Sequence, residues 1–264
     1  MKIGLWQLGL SDHEDKQARI DKVKKELDLL MEGNNLPDLL ILPEIWGTGY
    51  QAFDRYAVEA EELMGDTASF LKDYAVKLGI HIHTGSFVER RDGNFYNTSL
   101  LIGPDGKTLA VYRKLHLFGY DSMETKLLSP GDGPCVCDSA LGRLMLATCY
   151  DLRFPEQFRF MKEVPEILLV TAAWPEKRLN HWRLFNQVRA VENQCFVISC
   201  NSCGSQEGVM LAGHSMVCDP YGEIVFEAEK EEGFFLVEID KDLVMRARAD
   251  FPALGDRVKI GEEE

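Results

Sequence analysis

Short runs of almost wholly apolar residues recur from one end of the chain to the other, and many are separated by stretches of helical period. Asp38 to Leu42, Arg143 to Thr148 and Glu166 to Ala173 are the clearest. A strand apolar at nearly every position must be covered on both faces, so these runs require a sheet buried between other layers. Lys2 to Leu8, Ile80 to Val88, Thr98 to Ile102, Cys195 to Ser199 and Phe234 to Ile239 read as further strands. Met216 to Cys218 and Ile224 to Phe226 flank Asp219-Pro220-Tyr221-Gly222, a hairpin turn.

The intervening stretches supply the covering layers. Asp15 to Met31 places Ile20, Val23, Leu27 and Leu30 on one helical face. Asp66 to Leu78 reads as a helix capped by Asp66 and stopped near Gly79. Asn180 to Asn193 reads as a helix with Trp182, Phe185, Val188 and Val191 at its inner positions, and Asp242 to Ala249 as a last short one. Helix-separated strands together with hairpins predict an α/β protein with mixed sheets, two of them face to face, and helices outside. No repeat or low-complexity linker divides the chain. Residues 1–264 read as one domain, with an extended tail from about 251.

Charge and cysteine usage narrow the function. A formal net charge of −14 disfavours binding to nucleic acid or to anionic membrane surfaces. Acid-rich stretches such as Glu227 to Glu232 and Glu262 to Glu264 read as solvated surface. The opening residues are apolar too briefly for a signal peptide, and no stretch approaches the ~20 apolar residues of a membrane span. The seven cysteines form no disulfide framework, and neither close pair, Cys135-x-Cys137 or Cys200-x-x-Cys203, has a zinc-spaced partner. These features predict a cytoplasmic protein with reduced thiols and no metal.

Three strands end in polar residues that strand geometry does not require, at the mouth of a sheet where rigid backbone can aim a reactive group. Glu44 follows Leu39-Leu40-Ile41-Leu42-Pro43 and precedes Ile45-Trp46, surroundings that would desolvate a carboxylate and suit it to proton transfer. Lys114 lies in Tyr112-Arg113-Lys114-Leu115-His116-Leu117-Phe118, where an ammonium could stabilise an oxyanion. Cys149 ends Leu144-Met145-Leu146-Ala147-Thr148-Cys149, before Asp151 and Pro155 mark a turn and a helix start. There a thiolate is favoured by backbone N–H groups and a close cation. Taken singly, each has a plainer reading: a solvated Glu, a snorkelling Lys, a small buried thiol.

In the order Glu, Lys, Cys, the segments Leu42-Pro43-Glu44, Tyr112 to Phe118 and Cys149-Tyr150-Asp151-Leu152-Arg153-Phe154-Pro155-Glu156 resemble the three signatures of the nitrilase superfamily of carbon–nitrogen hydrolases. The resemblance extends to the Asp219 hairpin. It implies a four-layer α-β-β-α sandwich and a Glu44–Lys114–Cys149 triad. It also implies a further glutamate, matched by Glu124 ahead of Ser129-Pro130-Gly131. Further implications are hydrolysis of a small amide without cofactor or metal, and assembly as a homodimer or larger homo-oligomer. The backbone N–H of Tyr150 would share the oxyanion with Lys114. Arg153 and Glu156 are assigned to holding the cysteine turn, and His116 to hydrogen bonding near Lys114.

Thr171-Ala172-Ala173-Trp174-Pro175-Glu176-Lys177-Arg178-Leu179-Asn180-His181-Trp182, with Arg189 to Gln194, is similar to the omega-amidase branch, whose members hydrolyse 2-oxoglutaramate and 2-oxosuccinamate. Arg178 would hold a substrate carboxylate and Trp174 would wall the pocket. A surface Arg and a core Trp fit the same residues equally well. Asn201-Ser202 departs from an Asn-Arg pair frequent in that branch. The alternatives are an N-carbamoyl or deaminated-glutathione amidase, a non-enzymatic thiol sensor using Cys200 and Cys203, or a scaffold.

Overall fold

The computed structural model describes residues 1–159 and 164–258. Its two large sheets lie face to face. The first runs Gly233–Glu238, Lys2–Gln7, Leu39–Ile41, His81–His83, Asn94–Ile102 and Phe87–Arg91, with Thr108–Arg113 also paired to Asn94–Ile102. The second runs Ile224–Glu227, Met216–Cys218, Phe196–Asn201, Ile167–Ala172, Gly142–Thr148 and Cys135–Ser139. Each has parallel strands at its centre and antiparallel ones outside, the mixed arrangement expected.

The apolar runs explain the layering. Leu5, Ile41 and Leu101 of the first sheet meet Leu146, Leu169 and Ile198 of the second in one buried cluster. The alternate residues of the same strands face outward. Leu40, Ile82 and Leu100 are covered by Ile20, Val23 and Leu27 of helix Lys16–Glu32 and by Ala68 and Leu71 of helix Asp66–Leu78. Met145, Leu168 and Val197 are covered by Trp182 and Ala190 of helix Leu179–Asn193. The molecule is therefore the four-layer α-β-β-α sandwich that the sequence predicted. Among the described residues no helix is long and apolar enough to cross a membrane, and no cluster could hold a metal.

Some local expectations need correction. Helix Asp66–Leu78 is capped by Gly65, and Asp66 is its first residue. The helix after Trp174 buries Trp182, Asn186, Arg189, Ala190 and Asn193, whereas Val188 and Val191 are exposed. Its inner face is polar because those side chains are satisfied internally: Arg189 donates to the Leu152 carbonyl at 2.8 and 3.1 Å, and Asn193 to the Arg189 carbonyl at 2.9 Å. A hairpin of Cys203–Gln206 and Val209–Ala212, absent from the sequence reading, pairs with Gly9–Leu10. The tail is exposed at Phe251 but forms a short 3-10 turn, Ala253–Asp256. The expectation for Glu262 to Glu264 lies outside the described residues.

Candidate active site

The three polar strand ends converge at one edge of the sandwich. The Leu39–Ile41 strand runs through Leu42 and Pro43 to Glu44, whose N–H donates to the Ala172 carbonyl at 3.3 Å, across to the second sheet. The next residue, Ile45, has φ +41°, a region that a β-branched residue enters only under constraint. The Ser86 hydroxyl holds it by accepting from its N–H at 2.9 Å. Cys149, at the end of the Gly142–Thr148 strand, has φ +47° and opens a 3-10 turn, Cys149–Arg153. That reversal swings the side chain off the sheet.

Asp151 fixes the turn. Its carboxylate accepts from the Thr148 N–H at 2.9 Å, the Tyr112 hydroxyl at 2.5 Å and the His116 N–H at 3.0 Å, and meets His116 Nδ1 at 2.8 Å. One buried carboxylate thus ties the Lys114 segment to the Cys149 turn. His116 also stacks on Phe154 at 3.9 Å, the packing and hydrogen-bonding role expected of it.

Lys114 leaves the Thr108–Arg113 strand with its N–H on the Asn97 carbonyl and its own carbonyl on the Gly131 N–H, each at 2.9 Å. A Cβ at Gly131 would lie 2.2 Å from the Arg113 carbonyl oxygen, so only glycine permits this docking. The turn after Glu124 is what brings Glu124, on a short helix Glu124–Leu127 rather than in irregular chain, back to Lys114. Lys114 Nζ donates to Glu44 Oε1 at 2.9 Å and to both oxygens of Glu124 at 2.9 and 3.0 Å. All three side chains are fully buried.

Asn97 and Tyr50 complete the cluster, and sequence reasoning missed both. Asn97 Nδ2 donates to Glu44 Oε1 at 2.8 Å and to Glu124 Oε1 at 3.3 Å. The Tyr50 hydroxyl donates to Glu124 Oε2 at 3.0 Å, and its ring lies 5.4 Å from Lys114 Nζ. The sequence signal for either is slight: Asn97 is one of several polar residues in the first half of the strand Asn94–Ile102, and Tyr50 is an aromatic after Gly47-Thr48-Gly49.

Electrostatics follow from this burial. Burial raises the Glu44 carboxyl above its ordinary 4.5, with Lys114 opposing and Glu124 reinforcing. Burial pushes the Cys149 thiol well above 9.0 and Glu44 adds to that, while Lys114 and the Ala173 N–H pull it down. Burial alone would lower Lys114, but Glu124 and Glu44 outweigh it and hold the ammonium well above 10.5. The cluster therefore contains a firmly protonated cation, a carboxylate able to take a proton, and a thiol that needs a base to ionise.

Cys149 is the group of this set that reaches open space. It lines an open cavity, together with Tyr50, Phe118, Tyr150, Trp174 and Arg178. Glu44, Lys114 and Glu124 stand behind it. Trp174 is both wall and core: it is 2% exposed, packs on Trp182 at 5.5 Å and donates from Nε1 to the Arg178 carbonyl at 2.8 Å. Asn201 sets its backbone by accepting from the Trp174 N–H at 2.7 Å. Arg153, assigned to a structural role from sequence, also lines the cavity, whereas Glu156 is exposed on the following helix. Cys200 and Cys203 are buried, their thiols raised by burial, and Cys200 Sγ donates to the Trp6 carbonyl at 3.1 Å. That placement does not suit a redox sensor.

The carbon-nitrogen hydrolase family model matches residues 2–249. The chain belongs to the carbon–nitrogen hydrolase family. The hydrolase is 36% identical to a 2-oxoglutaramate amidase of Paenarthrobacter nicotinovorans over 246 residues, covering 90% of this chain and 83% of that one. A superfamily protein of Xanthomonas campestris with an arsenic adduct in its active site superposes with a TM-score of 0.90 at 29% identity, covering 100% of this chain and 99% of that one. A mutant amidase of Nesterenkonia, with acrylamide added to its active-site cysteine, superposes with a TM-score of 0.81 at 27% identity, covering 96% and 98%. The protein is thus an enzyme that hydrolyses carbon–nitrogen bonds other than peptide bonds, with a small-molecule amide as substrate.

Proposed function

We propose that the hydrolase is an omega-amidase in which Cys149 is the nucleophile, acting on 2-oxoglutaramate or 2-oxosuccinamate. The observation that carries this reading is Arg178 lining the same cavity as Cys149, with no carboxylate partner among the described residues. In a chain of net charge −14, an unmatched guanidinium beside a nucleophile is a place for an anionic group of the substrate. The similarity to a 2-oxoglutaramate amidase supports the same choice.

The chemistry follows from the cluster. Glu44 takes the Cys149 proton as sulfur attacks the amide carbon. Lys114 and the Tyr150 N–H stabilise the tetrahedral oxyanion, with Glu124 holding Lys114 in place. The intermediate collapses to a thioester as Glu44 returns the proton to the departing ammonia. Glu44 then deprotonates water, which attacks the thioester carbon and releases the carboxylate, and the thiol is reformed. No redox change occurs and no cofactor enters.

We also read residues 1–264 as one domain, because Gly233–Glu238 pairs with Lys2–Gln7 and closes the two ends of the chain into one sheet. Exposed Leu184, Val188 and Val191 on one helix support assembly as a homodimer, and seven free cysteines support a reducing, cytoplasmic setting.

Ammonia release from 2-oxoglutaramate and an N-carbamoyl amine, and cysteinylglycine release from deaminated glutathione, test the substrate, with Cys149→Ala as control. The oxo acid should be the best substrate. Equal or absent activity on it would remove the omega-amidase reading.

A further inference from the structure

Arg153 lies four residues beyond Cys149, at the end of the same 3-10 turn, and lines the cavity with Arg178. Its guanidinium carbon sits 5.0 Å from the Trp174 ring, 5.1 Å from Phe185 and 5.8 Å from Tyr150. This aromatic surround fixes its plane and direction but supplies no counter-charge. Among the described residues its polar side-chain contact is His181 Nδ1, at 3.3 Å from Nη2. Arg178 is held the same way, 5.7 Å from the Phe118 ring and 5.8 Å from Tyr120.

Neither guanidinium has a carboxylate partner among the described residues, whereas Arg113, Arg183 and Arg189 each have one. The two cations also feel each other: burial lowers the Arg153 pKa, and the charge of Arg178 lowers it further. Two positive groups that repel and line one cavity, neither of them neutralised by a carboxylate among the described residues, form a site preorganised for an anion.

We infer that Arg153 and Arg178 together form a two-guanidinium subsite for the carboxylate of the substrate, which makes Arg153 a specificity-determining residue. The inference rests on the omega-amidase reading and deepens it. The cavity would select amides carrying a carboxylate at the far end of a short chain, and neutral amides of equal length would lose both ion pairs.

The test compares kcat/KM for glutaramate with that for pentanamide, five-carbon amides with and without the carboxylate. Wild type should favour glutaramate. In Arg153→Met, which keeps an apolar stem among the aromatic rings, the ratio should fall about tenfold or more, through KM. Arg153→Lys keeps the charge but not the fork, guards against a variant that fails to fold, and should give an intermediate ratio. A wild-type ratio in both variants, even with both rates lowered, overturns the inference and leaves the omega-amidase reading standing. A wild type without preference for glutaramate overturns both.

Discussion

Replacing Asn97 with Ala should slow the enzyme without dismantling it. Asn97 is buried between two carboxylates and donates one short hydrogen bond to Glu44 and one long one to Glu124, at 2.8 and 3.3 Å. A hydrogen bond to a charged group contributes about 1.5–3 kcal/mol, and the longer one lies at the weak end. Roughly 2 kcal/mol of support for the ionised pair disappears, about a 30-fold loss in kcat/KM if it is felt at the transition state. The loss has a sign in pH. Glu44 already sits above 4.5 because of burial, and removing a donor to its ionised form moves it further up. The acid limb of kcat/KM, where activity falls as Glu44 becomes protonated, should therefore move to higher pH. The assay is ammonia release from 2-oxoglutaramate across pH, with a thermal melt at each pH. An acid limb that stays put while the melting temperature falls would refute the reasoning and leave Asn97 a packing residue.

His83 should make the protein acid-labile. Burial lowers its folded-state pKa to about 3, so only the unfolded chain takes up that proton between pH 6.5 and 3. Stability should fall with acidification across that window by roughly 1.4 kcal/mol per pH unit. Urea midpoints should show a shallower slope in His83→Asn, and an unchanged slope would count against the assignment. Leu169→Ala, in the cluster between the sheets, should cost about 2–5 kcal/mol, read from the same urea curves. Native labelling with a thiol reagent should reach the partly buried Cys135 and Cys137 well before the buried Cys200 and Cys203. Early labelling of the latter pair would revive the sensor reading.

What could be read from the sequence and what could not divides along physical lines. Strand ends at Glu44 and Cys149 are legible because a buried strand shows as an unbroken apolar run, and a polar residue at its end stands out. Lys114 follows an alternating strand, Thr108–Arg113, and is legible through its motif. Asn97 and Tyr50 are not, because their role depends on which carboxylates the tertiary fold brings within reach. The inner face of the helix after Trp174 was misread at Val188 and Val191. Hydrophobic period assumes an apolar interior, whereas Asn186, Arg189 and Asn193 turn inward and find partners there. Arg189 on the Leu152 carbonyl also helps to brace the cysteine turn, so the brace sought in Arg153 lies 36 residues further along the sequence. Arg153 itself faces the cavity, which spacing within a motif could not reveal.

The nucleophile can be tested directly. The hydrolase is quenched in acid during turnover of glutaramate and its peptides are weighed by mass spectrometry. The expected result is an acyl group, the mass of substrate less ammonia, on the peptide carrying Cys149, and no ammonia release above background from Cys149→Ala. An acyl group on any other side chain, or turnover by folded Cys149→Ala at the wild-type rate, would contradict the thioester mechanism.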